Sequence, residues 1–170
     1  MNSVTITRRV LAVVAAVLIL ATVYGVQMAA IRQARAEGTV FWVLCQPNDY
    51  INVRMTPSTR SDIVGRLETG DTIYFDGKTR NGFCHLNPAQ LEVSEAWIYS
   101  GYVSEYEPRD MGGKTYRVTS EARVAARKCI EGERLRWMYD GDLVKVWYMT
   151  EEWAVTNRGF IRSEYLWPVG

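Results

Sequence analysis

Histidine is nearly absent: His85 is the single one in 170 residues. A Ser-His-Asp set would depend on that one ring, and a histidine-based metal site has no second imidazole to recruit. Cysteine is scarce too. Cys45, Cys84 and Cys129 fit no zinc spacing. Their odd number leaves two states open: buried free thiols, or one Cys45–Cys84 bridge in an oxidising compartment. The phosphate-loop pattern is missing, because Gly77-Lys78-Thr79 and Gly113-Lys114-Thr115 both lack the upstream glycine and neither opens a long helix. After residue 40 no segment carries a long helical period, which excludes a helical bundle. The paired carboxylates Glu131/Glu133 and Glu151-Glu152 lie in polar turns and read as solvated.

Acidic residues are absent from the first 36 positions, which hold Arg8, Arg9, Arg32 and Arg35. Val10 to Val26 is almost purely apolar. This composition is that of an export signal or a membrane anchor. Arg8-Arg9 supply a positive start, and Ala34-Arg35-Ala36 supplies a small-x-small cleavage site. The apolar run also reaches the length of a spanning helix. Two outcomes follow: anchoring by residues 10–31, or secretion after cleavage near Ala36. Either one places the remainder outside the cytoplasm.

That remainder has 16 basic and 19 acidic side chains, a net −3. It lacks the basic footprint of a nucleic-acid binder, so nucleic acid is not an expected partner. All six Trp lie beyond residue 40, and large rings supply much of the buried area a small domain needs.

Two stretches of the body share one grammar. The first runs Ile51-Asn52-Val53-Arg54, Thr56-Pro57-Ser58-Thr59, Gly70-Asp71-Thr72-Ile73-Tyr74-Phe75, Asn81-Gly82-Phe83, then Trp97-Ile98-Tyr99-Ser100-Gly101-Tyr102-Val103. The second runs Val124-Ala125-Ala126-Arg127, Gly141-Asp142-Leu143-Val144-Lys145-Val146, Glu152-Trp153, then Gly159-Phe160-Ile161-Arg162-Ser163-Glu164-Tyr165-Leu166. The offset between them falls from 73 to 71 to 63, so the second copy is the first with shorter loops. Apolar and polar residues alternate with period two, as in half-buried strands. Asp76-Gly77, Asn81-Gly82, Asp140-Gly141-Asp142 and Asn157-Arg158-Gly159 read as turns. An all-β body built of short strands follows.

As a set, these motifs resemble the bacterial SH3 (SH3b) domain family. The resemblance covers Val40 to Ser104 and departs at Ala96, where glycine is usual, and in an insertion from Asn87 to Glu95. The second unit, Tyr116 to Trp167, is a more divergent match without the Pro-Ser loop. The resemblance implies two small SH3-like β-barrels in tandem after the N-terminal hydrophobic helix. The expected division is 1–36 as signal or anchor, 37–107 as the first SH3b domain, 108–115 as a linker and 116–170 as the second. It also implies a groove formed by Asn52, Arg54, Tyr74, Phe83, Trp97 and Tyr102.

Rings beyond the needs of a core mark a binding surface. Tyr50, Tyr74, Tyr99, Tyr102, Trp147, Tyr148 and Trp153 are the candidates. His85 is expected as a surface or groove residue. Rings beside Asn and Arg suit a peptide or glycan. The expected function is therefore a non-enzymatic, extracytoplasmic binding module for cell-wall peptide or glycan, with no cofactor or metal. The rival reading is a membrane-tethered adaptor that binds a surface protein.

Overall fold

The computed structural model describes residues 39–87 and 93–169. The first half holds β1 (Thr39–Val43), β2 (Ile51–Arg54), β3 (Ile63–Leu67), β4 (Thr72–Arg80), β5 (Phe83–Leu86), β6 (Trp97–Tyr99) and β7 (Val103–Ser104). The second holds β8 (Arg109–Val118), β9 (Val124–Arg127), β10 (Arg134–Met138), β11 (Leu143–Met149), β12 (Trp153–Thr156), β13 (Gly159–Arg162) and β14 (Leu166–Pro168). Period two is visible in each half: Ile51 and Val53 are buried while Asn52 and Arg54 are half-buried, and Val144 and Val146 are buried between exposed Leu143 and Lys145.

The strands form two seven-stranded antiparallel sheets, ordered β3-β2-β6-β5-β4-β1-β7 and β10-β9-β13-β12-β11-β8-β14. The orders are identical position by position, so the sequence repeat is a repeat of topology. Register agrees as well. Arg54 pairs with Trp97 in the first sheet, and Arg127 pairs with Phe160 in the second. Among the described residues a closed barrel is not found. The terminal strands are short, and their residues pair with one neighbour: β7 with β1, and β14 with β8.

Turn chemistry explains much of the local geometry. Asn81 and Gly82 both have positive φ (53° and 75°) and close the two-residue hairpin between β4 and β5. In each unit an aspartate two residues into a Gly-Asp turn caps it. Asp71 Oδ2 accepts from the Glu68 N–H at 2.8 Å, and Asp142 Oδ2 accepts from the Tyr139 N–H at 2.8 Å. Asp76-Gly77, expected as a turn, instead lies inside β4. Gly77 has φ 90°, and the register against β5 shifts between Phe75 and Thr79, a bulge that re-aims the strand.

The stretch 108–115, expected as a linker, is mostly strand β8. Its glycines serve the sheet. Gly112 and Gly113 have φ 60° and 74°, and a Cβ on Gly113 would come within 2.4 Å of the Trp147 ring. The β8–β11 register shifts at the same place, between Val146 and Tyr148.

Three buried clusters hold the body together. One belongs to the first sheet and gathers Val43, Ile51, Val53, Ile73, Leu86 and Ile98. Its counterpart in the second gathers Val118, Ala126, Val144, Val146 and Ile161 with their neighbours. The third lies between the sheets: Leu44, from the end of β1, packs in one cluster with Trp153, Val155 and Phe160, flanked by Tyr102, Ile130 and Tyr148. Hydrogen bonds to backbone carbonyls fasten this junction. Ile130 N–H donates to the Gly101 carbonyl at 2.8 Å, and Gln46 Nε2 donates to the Thr156 carbonyl at 3.3 Å. Among the described residues no helix is long and apolar enough to cross a membrane. The segment 10–31 and the Ala36 cleavage site lie outside the described residues.

Candidate functional site

A cleft of about 440 Å³ opens between the first sheet and a loop of the second unit, a size typical of small-ligand sites. Strand β2 supplies one wall. Its inward residues Ile51 and Val53 are buried, and its alternate residues Asn52 and Arg54 line the cleft. Arg54 is held in place because Nη1 donates to the Ser61 carbonyl at 2.7 Å. Asn52 differs: its Oδ1 is buried and accepts no hydrogen bond. A buried acceptor left unpaired costs roughly 1–3 kcal/mol, so this oxygen is a place where a ligand N–H has something to gain.

Rings form the opposite wall. Phe83 and Tyr99 face each other across β5 and β6, edge to face at 5.6 Å. Tyr99 meets Tyr102 at 6.1 Å, and Tyr102 meets Phe160 of the second sheet at 6.2 Å. Burial, helped by Cys129 and Asp49 nearby, pushes the Tyr102 phenol above its usual range, which keeps it a neutral donor. Tyr50 at the rim carries the Arg66 guanidinium over its face at 4.3 Å.

The third wall comes from residues 128–133, between β9 and β10. Lys128, Cys129, Gly132 and Glu133 line the cleft. Cys129 is wedged in place. A Cβ on Gly101 would sit 2.7 Å from its Sγ, and one on Gly132 would sit 2.4 Å from it. Only glycines on both sides let the loop approach this closely. The cleft thus combines stacking faces, an unpaired amide oxygen, two carboxylates (Asp49, Glu133) and two cations (Arg54, Lys128). It can accept a ligand carrying both an amine and a carboxylate.

Of the six groove residues expected from sequence, Asn52, Arg54, Phe83 and Tyr102 line this cleft. Trp97 does not. It is buried two register steps from the Phe83–Tyr99 pair, its ring tilted against that of His85 at 4.7 Å. Tyr74 does not either; it lies on β4, opposite Val40 of β1. The sequence reading of the groove missed Asp49, Thr59 and the whole 128–133 wall. That wall comes from the other unit, and no local pattern announces it.

His85 corrects a second expectation. It is buried, 3% exposed, with Nδ1 2.7 Å from Asp76 Oδ2 and Nε2 3.0 Å from Glu95 Oε2. Glu95 Oε2 also accepts from Trp97 Nε1 at 3.2 Å. The β4 bulge brings Asp76 to the ring, and the Lys78 N–H donates to the other Asp76 oxygen at 3.1 Å. Burial pushes the Asp76 carboxyl up, but the hydrogen bonds from His85 and Lys78 outweigh it and leave the group below its usual range. The ring is a strut between strands and does not face the cleft. All three cysteines are free, so the Cys45–Cys84 bridge is not made, and burial raises each thiol above its ordinary value.

No protein-family model matches the chain, and no curated protein does. Solved structures similar to this chain over part of their length include two. One is titled as the structure of NlpC2 from Trichomonas vaginalis, at 14% identity and TM-score 0.32, covering 77% of this chain and 48% of that one. The other is titled as NlpC1 from the same organism, at 17% identity and TM-score 0.28, covering 75% and 45%. The chain therefore spans about half the length of either protein.

Proposed function

We propose that this chain is a non-catalytic extracytoplasmic binding module, a tandem of SH3b-like barrels whose first cleft takes cell-wall peptide. The N-terminal apolar segment would deliver it, as anchor or as cleaved signal. The observation that carries the reading is the unpaired Asn52 Oδ1 in a ring-walled cleft with charges of both signs at its rim. Cross-linking stem peptides present free amines, amide N–H groups and carboxylates on a short backbone. An amine or amide N–H meets Asn52, with Asp49 and Glu133 beside it. A carboxylate meets Arg54 and Lys128, and methyl groups lie on Tyr99 and Tyr102. Four residues that carry the SH3b resemblance supply cleft lining, which favours this family reading over an unrelated all-β one.

The test is retention of the full chain on purified peptidoglycan, wild type against Asn52→Leu. A hydrogen bond involving a charged group contributes roughly 1.5–3 kcal/mol, so the substitution is expected to weaken binding about 10- to 100-fold. Its folded state should be unchanged or stabilised, because the orphaned oxygen is gone. Wild-type chain that washes through, or an Asn52→Leu chain retained equally, would refute the wall-peptide reading. Specific co-purification of one surface protein in place of wall would point to the adaptor function.

A further inference from the structure

The duplication places a second cleft, of about 410 Å³, at the equivalent position of the second sheet. Register fixes the equivalences. Asn52 pairs with Arg66 across β2 and β3, and Ala125 pairs with Trp137 across β9 and β10. Phe83 pairs with Tyr99, and Trp153 pairs with Arg162. Tyr50 and Arg123 each stand one residue before their strand. Two rings of the first cleft, Tyr50 and Tyr99, are thus arginines in the second, and the unpaired amide of Asn52 is an alanine methyl.

These exchanges reverse the chemistry. Arg123 lies over the Trp137 ring at 4.2 Å, and Arg162 over the Trp153 ring at 4.4 Å. A guanidinium held over an indole is restrained in position while its N–H donors stay available to a carboxylate. Arg127 is pinned like Arg54, with Nη1 donating to the Gly132 carbonyl at 2.8 Å. Three arginines line the cleft against one carboxylate, Glu131. Arg162 already holds carboxylates: Glu152 Oε2 at 3.2 Å and Glu131 Oε1 at 3.5 Å. Arg123 has no such partner among the described residues.

We infer that this second cleft binds a ligand carboxylate, received by Arg123 where it lies over the Trp137 ring. Internal glutamates at Arg162 show the geometry the site accepts, and Arg123 is the position left open. The carboxylate can come from an acidic peptide or from an acidic sugar, since the guanidinium reads the oxyanion alone; the Trp137 ring already carries Arg134 at 4.3 Å as well as Arg123, and Trp153 is buried.

The experiment follows the indole N–H signals of Trp137 and Trp153 in ¹⁵N-labelled full chain. Probes at millimolar concentration are acetyl-tetraglutamate, tetragalacturonate, inorganic phosphate and acetyl-tetraglutamine. Saturable shifts with either carboxylate probe are expected, and the better of the two identifies the source. Arg123→Met should weaken that response at least about tenfold, while Asn52→Leu in the other cleft leaves it unchanged. The inference is overturned by silence with both carboxylate probes, by a response to phosphate alone, by an equal response to the glutamine peptide, or by shifts that survive Arg123→Met.

Discussion

Leu44 tests whether the two sheets fold as one body. It belongs by sequence to the first unit, yet it is fully buried in a cluster whose other core members, Trp153, Val155 and Phe160, all come from the second. Leu44→Ala removes three carbons from a site walled largely by two rigid rings. The neighbouring backbone is tied down by the Leu44 N–H to Tyr102 carbonyl bond at 2.9 Å. A wall of that kind collapses poorly into a void, so the cost should fall in the upper part of the usual range, about 3–5 kcal/mol. At roughly 3–5 °C per kcal/mol for a body of this size, Tm should drop by about 9–25 °C. The assay is thermal unfolding followed by the indole N–H signal of Trp153 in ¹⁵N-labelled chain, which reports the second sheet, and by far-UV circular dichroism, which reports both. One shared transition that moves down in both signals is the expected result. Two separate transitions, with the Trp153 signal melting at its wild-type temperature, would mean that the inter-sheet cluster contributes nothing to the second sheet and that the units fold independently.

Two further outcomes follow. The Asp76 carboxyl is held below its usual value in the folded chain, so its pairing contributes stability that is complete above the unfolded carboxylate range near pH 4 and is lost as pH falls through the lower folded value. Asp76→Asn should flatten the acid limb of a pH–stability curve measured by urea unfolding, and cost about 1–3 kcal/mol at neutral pH by weakening the bond to His85; an unaltered acid limb would contradict the strut. Gly101→Val should push the 128–133 loop off the first sheet, because even a Cβ would stand 2.7 Å from Cys129 Sγ and from the Tyr99 ring; faster native-state labelling of Cys129 by a thiol reagent is the measurement, and wild-type labelling kinetics would show the contact is not needed.

The strands were legible because their physics is local. Ile73 and Val144 announce half-buried strands by alternation, and Asn81-Gly82 announces its hairpin by the φ angles it prefers. The repeat was legible for the same reason, since shortening loops leaves strand patterns intact. What failed was everything decided by a second segment of chain. Gly112-Gly113 looks like a linker in isolation and becomes a bulge only because Trp147 needs the space. Asp76-Gly77 looks like a turn and becomes a bulge that delivers a carboxylate to His85. Trp97 reads as a groove ring and is instead consumed by His85, a residue whose burial depends on Asp76 and Glu95 arriving from either side.

The same dependence separates the two clefts. The second is lined by residues 123–165 and belongs wholly to its own unit. The first borrows Lys128, Cys129, Gly132 and Glu133 from its neighbour. A loop that serves as the far wall of one cleft also carries Glu131, the carboxylate that lines the other and reaches Arg162. Glu131 sits at φ 52°, in the left-handed region that non-glycine residues adopt at a cost. Cys129 and Gly132 of this loop line the first cleft with Tyr102, and Glu131 lines the second with Trp153. The first cleft therefore exists only because the second unit docks against the first, whereas the second cleft needs no such neighbour.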